Sequence, residues 1–494
     1  MRHLLSALLV FATAQGATAQ GATAQGGAGA SLSLDDALAL AKKNNPIYLQ
    51  SLNGRDRAGT ALRSAYGTLL PQASTSFSTG FRQGLPQYFG GVQFGANANT
   101  IYSSWGLNFS YSISAGAINA LKAYKALADA SDQDVTGADQ ALRASVTQQY
   151  IFALQTIARA ALQDSLVLSN QLQLELAKAK AGVGTATSLD VKRAEVAVGQ
   201  NQVASLRAHN VADVTMLQLF QLLGVPMPAS VTLTTAFRVD EPKLDVGQLL
   251  DLAGRGNPTL RALQMRADAA NANYHAAQTQ YAPTLSLGAN LGGNAQQYTN
   301  SDYLVTQARS QVVQQQATCF SQDSLRRGAG LSSIGTTCNS LVLTDARAQA
   351  LRDGNSNFPF KFTSQPYTLS AGLFLPLFNG FVREQQVQDA ASNRSDARYN
   401  VRAQQLKLTA DVTSAYTTLV ADYRTVKLQE VNSARAAEAL QLAQERYRVG
   451  LNSLVDLQAA RADYQQAESD RIDAIYQYHW AFAALESAVG RPLR

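Results

Sequence analysis

The side chains best suited to chemistry are few and scattered in this chain of 494 residues. Of its 4 histidines, His3 lies near the N-terminus, and the other three fall on separate predicted helices without the spacing of a metal site: His209, His275 and His479. No nucleophile elbow, phosphate loop or paired-carboxylate motif stands out among the Ser and Asp residues. The sequence therefore predicts no enzyme, no metal site and no cofactor, and each histidine is interpreted as a packing or surface residue.

The two cysteines, Cys319 and Cys338, lie close together in a chain that begins like an exported protein. Arg2 precedes the apolar run 4–12, and small-residue Ala-Thr-Ala sequences follow, so residues 1–24 are interpreted as a signal peptide. Cleavage is expected after one of three residues: Ala14, Ala19 or Ala24. In an exported chain the two cysteines are expected to form a disulfide, with two free thiols as the alternative.

The composition argues against binding to nucleic acid. The net charge of +6 is small for this length, and no basic block is present. Only 15% of the residues are charged, and the remainder is rich in Ala, Gln, Ser and Asn, which suits long solvated helices and polar channels. After the signal peptide, no apolar run approaches the length expected of a membrane-spanning helix.

Four segments alternate between apolar and small polar residues with the period of a β-strand. In Trp105–Ile113 every odd position is large and apolar, and every even position is Gly, Asn or Ser. Residues 285–292 and 367–373 repeat the pattern, and 74–81 is a weaker copy. A soluble sheet would also alternate, but it would need a second sheet, and the rest of the chain is predicted to be helical. The pattern therefore favours a membrane β-barrel with lipid outside and water inside.

Four strands cannot close a membrane barrel. Barrels made by one chain begin at about eight strands, and an open sheet edge is not tolerated in lipid. Several copies of the chain must then share one barrel, and this argument allows two copies or three.

The chain is also an internal duplication. Asn45-Pro46 recurs as Asn257-Pro258, and 25 residues after each of these prolines comes another, Pro71 and Pro283, directly before a strand. Further matches are Val146–Tyr150 with Val412–Tyr416, and Gly182–Glu195 with Gly450–Asp463. The sequence therefore predicts two structural repeats, 31–237 and 238–494, each in the order helix, strand, strand, long helix, turn, helix.

The predicted elements follow from the apolar periods and from the prolines and glycines that interrupt them. The first repeat is predicted to contain a helix at 45–70, strands at 72–83 and 101–113, and helices at 115–181 and 185–223. The second is predicted to contain a helix at 257–281, strands at 284–294 and 366–377, and helices at 380–448 and 451–489. The longest helices would each extend about 100 Å and pack laterally as coiled coils. Residues 224–256 are expected to form a small collar, and residues 297–365 an extracellular insertion.

The mature chain resembles the TolC-like outer-membrane efflux proteins. The resemblance rests on the two Asn-Pro sites and on three further motifs: Leu69-Leu-Pro-Gln72, Leu375-Pro-Leu-Phe-Asn-Gly380 and Tyr447-Arg-Val-Gly-Leu-Asn-Ser-Leu-Val-Asp456-Leu457. It implies a fold that is mainly α with a membrane β-barrel. In a homotrimer, four strands per chain would contribute to a shared twelve-stranded barrel, continued by a long periplasmic α-helical barrel.

The resemblance also implies a function and a location. The chain would be the outer-membrane exit duct of a tripartite efflux pump or a type I secretion system in a Gram-negative-type cell. It would extend into the periplasm, join a periplasmic adaptor and an inner-membrane transporter, and pass small molecules or polypeptides passively to the exterior. The alternative is a non-conducting structural or adhesive trimeric protein of the envelope.

The family closes its channel at the periplasmic tip, which implies a gate near the glycine turns. Asp456 follows Gly450 by six residues; the equivalent first-copy position is Ser188, with Asp190 two residues later. Carboxylates repeated around one axis would favour cations, and their mutual repulsion would raise their proton affinity. Asp456 could equally be an acid that stabilises a helix N-terminus. Tyr447 and Asn452 are expected to add neutral hydrogen bonds.

Three glycines are expected to shape the tip turns. Gly182, Gly184 and Gly450 are predicted to adopt left-handed conformations that let the helices reverse. By resemblance to the family, contacts with the adaptor are expected near these turns.

Overall fold

The computed structural model describes residues 30–85, 87–89, 92–94 and 98–493, so the predicted signal peptide, 1–24, lies outside the described residues. The elements of the first half are β1 (Ala30–Leu32), α1 (Leu34–Asn44), α2 (Pro46–Gly67), β2 (Gln72–Arg82), β3 (Gln87–Phe89), β4 (Val92–Phe94), β5 (Thr100–Ile113), α3 (Ala115–Gly182), α4 (Ser188–Leu223) and β6 (Val231–Leu233). The second half contains α5 (Val246–Gly256), α6 (Pro258–Gln278), a 3₁₀ turn (Thr279–Tyr281), β7 (Thr284–Tyr298), α7 (Tyr303–Gly328), α8 (Gly335–Asn339), α9 (Asp345–Gly354), β8 (Thr363–Ser364), β9 (Thr368–Phe374), α10 (Val382–Arg448) and α11 (Leu454–Val489).

The two halves of the chain repeat each other in length and in the residues that end their helices. Helices α4 and α11 both have 36 residues, and each ends at a left-handed glycine, Gly224 or Gly490. Helices α1 and α5 both have 11 residues. Equivalent residues are 212 positions apart where α2 and α6 begin (46 and 258) and 266 apart where α4 and α11 begin (188 and 454). The larger spacing places the extra residues of the second copy in the region that contains the insertion.

The second compact unit contains residues 50–138 and 247–411, which include the main sheet. Its long strands are antiparallel in the order β2, β5, β7, β9, and the two-residue β8 also pairs with β7. Phe77, Trp105 and Gly293 lie opposite one another in the register. Odd-numbered residues therefore share one sheet face and even-numbered residues the other. The apolar residues of β5, from Trp105 to Ile113, all lie on the odd face.

The insertion in this unit is folded rather than extended. Helices α7, α8 and α9 lie between β7 and β8, and a disulfide joins Cys319 to Cys338, whose Cα atoms are 5.5 Å apart. Asp323 of α7 is buried and accepts hydrogen bonds from the Ile334 amide and the Ser333 hydroxyl. Its satisfied carboxylate and the disulfide together fix the turn after α7.

The first compact unit contains residues 139–246 and 412–493 together with the described part of 1–49. Strand β1 pairs in parallel with β6, which gives the collar region 224–256 a two-stranded element. The buried Tyr150 hydroxyl donates to the Leu32 carbonyl at 2.7 Å and accepts from the amides of Thr234 and Thr235 at 3.2 Å. Tyr150 thereby ties this pair of strands to α3.

The core of this unit comes from the apolar period of its long helices. Val412, Leu419 and Val426 recur every seven residues on α10 and are fully buried. Helix α3, by contrast, also contains an 18-residue window that is apolar enough to cross a membrane by composition. The expectation that no such run follows the signal peptide is wrong for this helix. A helix packed along its length carries apolar residues for the core, such as the fully buried Val146 and Ile151.

Candidate functional site

The two tip turns are built by the same local chemistry. Gly184 and Gly450 have φ values of 76° and 84°, a left-handed conformation that glycine adopts without steric cost. The Gly184 and Thr185 amides donate to the carbonyls of Ala181 and Lys180 at 3.1 and 2.9 Å, and the Gly450 turn repeats the pattern. These are Schellman turns, which satisfy the last carbonyls of α3 and α10. The left-handed conformation expected at Gly182 is wrong: this residue is the last of α3.

Each turn leads into a helix that begins with a capping box. The Thr187 hydroxyl accepts from the Asp190 amide at 3.2 Å, while Asp190 Oδ2 accepts from the Thr187 amide at 3.0 Å. Ser453 and Asp456 repeat both bonds at the same distances. Each box satisfies two of the amides at the start of its helix.

The capping boxes correct the expected equivalence between the two copies. Asp190 and Asp456 both hold the third position of their helices, whereas Ser188 is the first residue of α4. Asp190 is therefore the repeat partner of Asp456, and the assignment of Ser188 is wrong. The sequence comparison matched Gly182 to Gly450, whereas the left-handed residue of the first copy is Gly184, two positions later.

Hydrogen bonds make both aspartates stronger acids. The Ser453 hydroxyl, followed by the Ser453 amide, lowers the pKa of Asp456, and the Thr187 amide, followed by its hydroxyl, lowers the pKa of Asp190. The sequence predicted that repulsion between repeated carboxylates would raise their proton affinity. Within one chain the pKa shift has the opposite direction, because hydrogen-bond donors to a carboxylate stabilise its charged form. The tip thus carries two ionised carboxylates per chain at neutral pH.

Tyr447 holds the end of α10 in place. It is only 6% exposed and packs with Ala443, Leu454 and Leu457. The ammonium of Lys180 lies 4.1 Å from the centre of its ring and also donates to the Tyr447 carbonyl. Burial raises the pKa of the Tyr447 phenol, and the nearby Asp190 charge adds to this rise. Tyr447 therefore fastens α10 to α3.

Asn452, unlike Tyr447, does not fasten one helix to another within one chain. It is partly exposed in the Gly450 turn, and in the part of the chain that the structure describes its side chain forms no hydrogen bond. Lys180, which the sequence reasoning missed, could have been found as the repeat partner of Arg446, the basic residue before the second turn.

A groove of about 1020 Å³ lies above the turns between α3, α4 and α11. Its charged lining residues are Lys192, Arg193, Arg461 and Glu468. Burial lowers the pKa of Arg461, whose guanidinium donates to the amide oxygens of Asn170 at 2.9 Å and Gln173 at 3.4 Å. Arg461 lies within the repeat match Gly450–Asp463, but its burial cannot be predicted from a periodicity that also fits an exposed helix face.

The three described histidines lie apart from the tip turns. His209 Nε2 is 2.9 Å from Asp164 Oδ2, His275 lies beside Gln278, and His479 is fully buried with its ring 5.1 Å from that of Phe237. Among the residues that the structure describes, no three His, Cys, Asp or Glu side chains are grouped as a metal site would require.

Comparison with known proteins identifies the fold and matches part of the chain to a family. The family model described as outer membrane efflux protein matches residues 249–491. The pyoverdine export outer membrane protein OpmQ of Pseudomonas putida is 25% identical over 473 residues, which span 94% of this chain and 87% of that protein. The fold is similar to that of the CmeC outer membrane channel of Campylobacter jejuni, with a TM-score of 0.70 and 17% identity over 92% of this chain and 85% of that one. It is also similar to the outer membrane protein VceC of Vibrio cholerae, with a TM-score of 0.68 and 17% identity over 93% and 97% of the two chains.

These findings confirm the predicted fold class, since such channels combine a β-barrel with a long α-helical barrel. They also confirm the predicted location in the outer membrane with an extension into the periplasm. They favour transport over the adhesive alternative. Residues 249–491 therefore match the outer membrane efflux protein family, and the chain serves as an outer-membrane efflux channel.

Proposed function

We propose that three copies of this chain form the channel and that each supplies four strands to a shared twelve-stranded barrel. The proposal rests on the edges of the main sheet. Among the described residues, β2 pairs only with β5 and β9 pairs only with β7, so each leaves one row of backbone groups without a partner. Lipid does not tolerate such edges, and pairing β2 of one copy with β9 of the next removes them all.

Native mass spectrometry of the detergent-extracted protein tests this stoichiometry. We expect the mass of three mature chains. The mass of a single chain would refute the closure argument, because four strands cannot close a barrel. The mass of a dimer would satisfy closure with eight strands but would refute the proposed number of three copies.

We propose that Asp190 and Asp456 line the narrow periplasmic tip. Three copies would place six carboxylates around one axis, which would attract cations to the entrance. Asn452, in the adjoining turn, would offer a neutral amide to the neighbouring copy. Tyr447 would act indirectly, by holding the turn against Lys180, and Ser188 would contribute only through its place at the start of α4.

The same tip is proposed to receive the periplasmic adaptor, which would join the channel to an inner-membrane transporter. Val183 and Leu451 stand beside the left-handed glycines and are 76% and 77% exposed. Exposed apolar side chains at both turns support a protein contact there. Gly182, Gly184 and Gly450 would shape that contact, and small molecules or polypeptides would then pass through the duct without coupled chemistry.

Planar-bilayer conductance tests the gate. Asp456→Asn removes the charge while its amide oxygen can still accept from the Ser453 amide, and Asp190→Asn is the matched change in the other repeat. We expect each to lower cation selectivity, and the double variant to lower it further. Ser453→Ala is the control, because it removes a capping hydroxyl and keeps the charge.

Unchanged selectivity in the double variant would remove the carboxylates from the gate. If well-formed trimers of the native chain and of every variant carried no current, the open-duct proposal itself would be wrong.

A further inference from the structure

A short segment of the insertion, residues 355–365, lies against the outer end of the main sheet, and we call it the strap. Asn355 accepts from the Tyr298 amide at 2.8 Å and donates to the Tyr298 carbonyl at 2.9 Å. The Phe358 amide donates to Gln297 Oε1 at 3.2 Å, and the Ser103 hydroxyl donates to the Pro359 carbonyl. The strap is thus fixed to the strands by both backbone and side-chain hydrogen bonds.

From Phe358 to Phe362 the strap lies on the apolar face of the sheet, and its last residues pair with β7 as β8. Ser103 and Gln297, which hold it, are odd-numbered and share that face with Trp105 and Phe77. The ring of Phe77 lies 6.3 Å from the rings of both Phe360 and Phe362. Lys361 lies between these two phenylalanines in sequence, and its ammonium donates to the Ser356 hydroxyl at 3.1 Å.

Beneath the strap, three positions of the odd face carry small residues. The odd face there carries Ser103, Gly293 and Ala295, and Ser103 and Ala295 are 0% and 2% exposed because the strap covers them. A Cβ at Gly293 would lie 3.1 Å from the Thr363 carbonyl and 3.2 Å from the Phe362 side chain. The strap therefore presents its own side chains above these small residues, and Phe360 is 73% exposed.

The height of the strap matches one rim of a membrane. Trp105 and Ser103 lie eight and ten residues along β5 from Ile113, at the strand end that leads into α3. At about 3.4 Å per residue and a tilt of about 40°, the strap begins about 20–26 Å above that end. The lipid-facing band of such barrels is about 25 Å tall and ends in aromatic residues on both sides.

We propose that the strap is a lipid anchor that adds its aromatic rings to those of Phe77 and Trp105 in the outer aromatic girdle of the barrel. Phe360 and Phe362 contact the acyl chains of the outer leaflet just below the headgroups, and Lys361 reaches toward the headgroup layer. The occupant is lipid rather than a second copy, because the exposed rings continue the apolar surface of Phe77 and Trp105. This inference depends on the proposed membrane barrel and adds to that proposal a lipid contact made by a segment of the insertion.

Quenching of tryptophan emission by brominated lipid tests the anchor. The full chain, with Trp105→Phe and Trp480→Phe, receives one new tryptophan by Phe360→Trp and is reconstituted into liposomes whose acyl chains carry bromine. We expect loss of most of its emission. Val313→Trp in the same background is the control: Val313 is 63% exposed on α7 of the same insertion, and its tryptophan should be quenched by aqueous iodide instead.

A second variant, which keeps Trp105 as its only tryptophan, distinguishes failure of the strap proposal from failure of the lipid-facing assignment of the sheet. Quenching of Trp105 by brominated lipid without quenching at position 360 would overturn the strap proposal and leave the barrel standing. Absence of quenching at both positions in trimers would overturn the lipid-facing assignment of the odd face. A tryptophan at position 360 that is shielded from lipid and iodide alike would mean that protein covers the strap, which also overturns the proposal.

Discussion

Tyr150 offers a sharp test of how the collar is attached, because its repeat partner provides an internal control. Tyr150→Phe removes a hydroxyl that accepts from the Thr234 and Thr235 amides and donates to the Leu32 carbonyl. The Thr234 amide also donates to the Leu32 carbonyl at 3.2 Å, so the Thr234 amide and the Leu32 carbonyl each keep a partner. The Thr235 amide, in contrast, loses the hydroxyl as its acceptor. One lost hydrogen bond costs about 1 kcal/mol, and leaving the part-buried Thr235 amide unsatisfied costs about 1–3 kcal/mol.

The expected local destabilisation is therefore about 2–4 kcal/mol, which corresponds to roughly 30- to 700-fold faster hydrogen exchange at the Thr235 amide. Hydrogen–deuterium exchange with mass spectrometry measures this on peptides covering 30–35 and 231–235. Tyr416→Phe is the matched control, since Tyr416 is partly exposed and its hydroxyl forms no hydrogen bond among the described residues. A change below about threefold in Tyr150→Phe, or an equal change in both variants, would refute the reasoning.

Three further outcomes follow from the tip, the disulfide and the sheet. Because the pKa values of Asp190 and Asp456 are lowered, the stabilisation from their capping bonds should be complete above about pH 4 and be lost as the pH falls further, measured by hydrogen exchange of the tip helices. Replacing Cys319 and Cys338 together with Ser opens a loop with a sequence separation of 19 and should destabilise the insertion by about 3 kcal/mol, which faster proteolysis of α7–α9 would show. Gly293→Ala places a Cβ 2.8 Å from the indole nitrogen of its cross-strand neighbour and should cost about 1–3 kcal/mol in urea unfolding in liposomes.

The sequence predicted the long elements well because their signals are strong. A period of two in β5 and apolar steps of three and four in α10 each persist over many residues, and the predicted 115–181 and 380–448 lie within two residues of the observed helices. The separate helix α1 was missed, although Ser33 and Asp36 form a capping box that marks its start. The expected strand 284–294 continues to Tyr298 in the structure, where Asn355 holds its last residue.

The features that were missed depend on contacts between distant residues. The strap has no periodicity, and its position follows from hydrogen bonds to Ser103 and Gln297 that join residues far apart in sequence. The partners of Lys180 and Arg461 likewise come from other helices. At the tip, the residue types were recognised but their register was not. Gly182 matches Gly450 in a gapless sequence comparison, and only the backbone conformation shows that Gly184 holds the equivalent place.

The equal lengths of α4 and α11 restrict how this chain can change. Each of these helices runs 36 residues from a capping box to a left-handed glycine. Inserting one residue into α4 alone would displace its tip by about 1.5 Å and rotate it by about 100° relative to its fixed end. Its carboxylate would then point away from the direction that Asp456 keeps. Insertions and deletions along these helices should therefore be tolerated only when both copies change together. Inserting or deleting one residue in one of the two helices alone should disturb the protein more than most substitutions do.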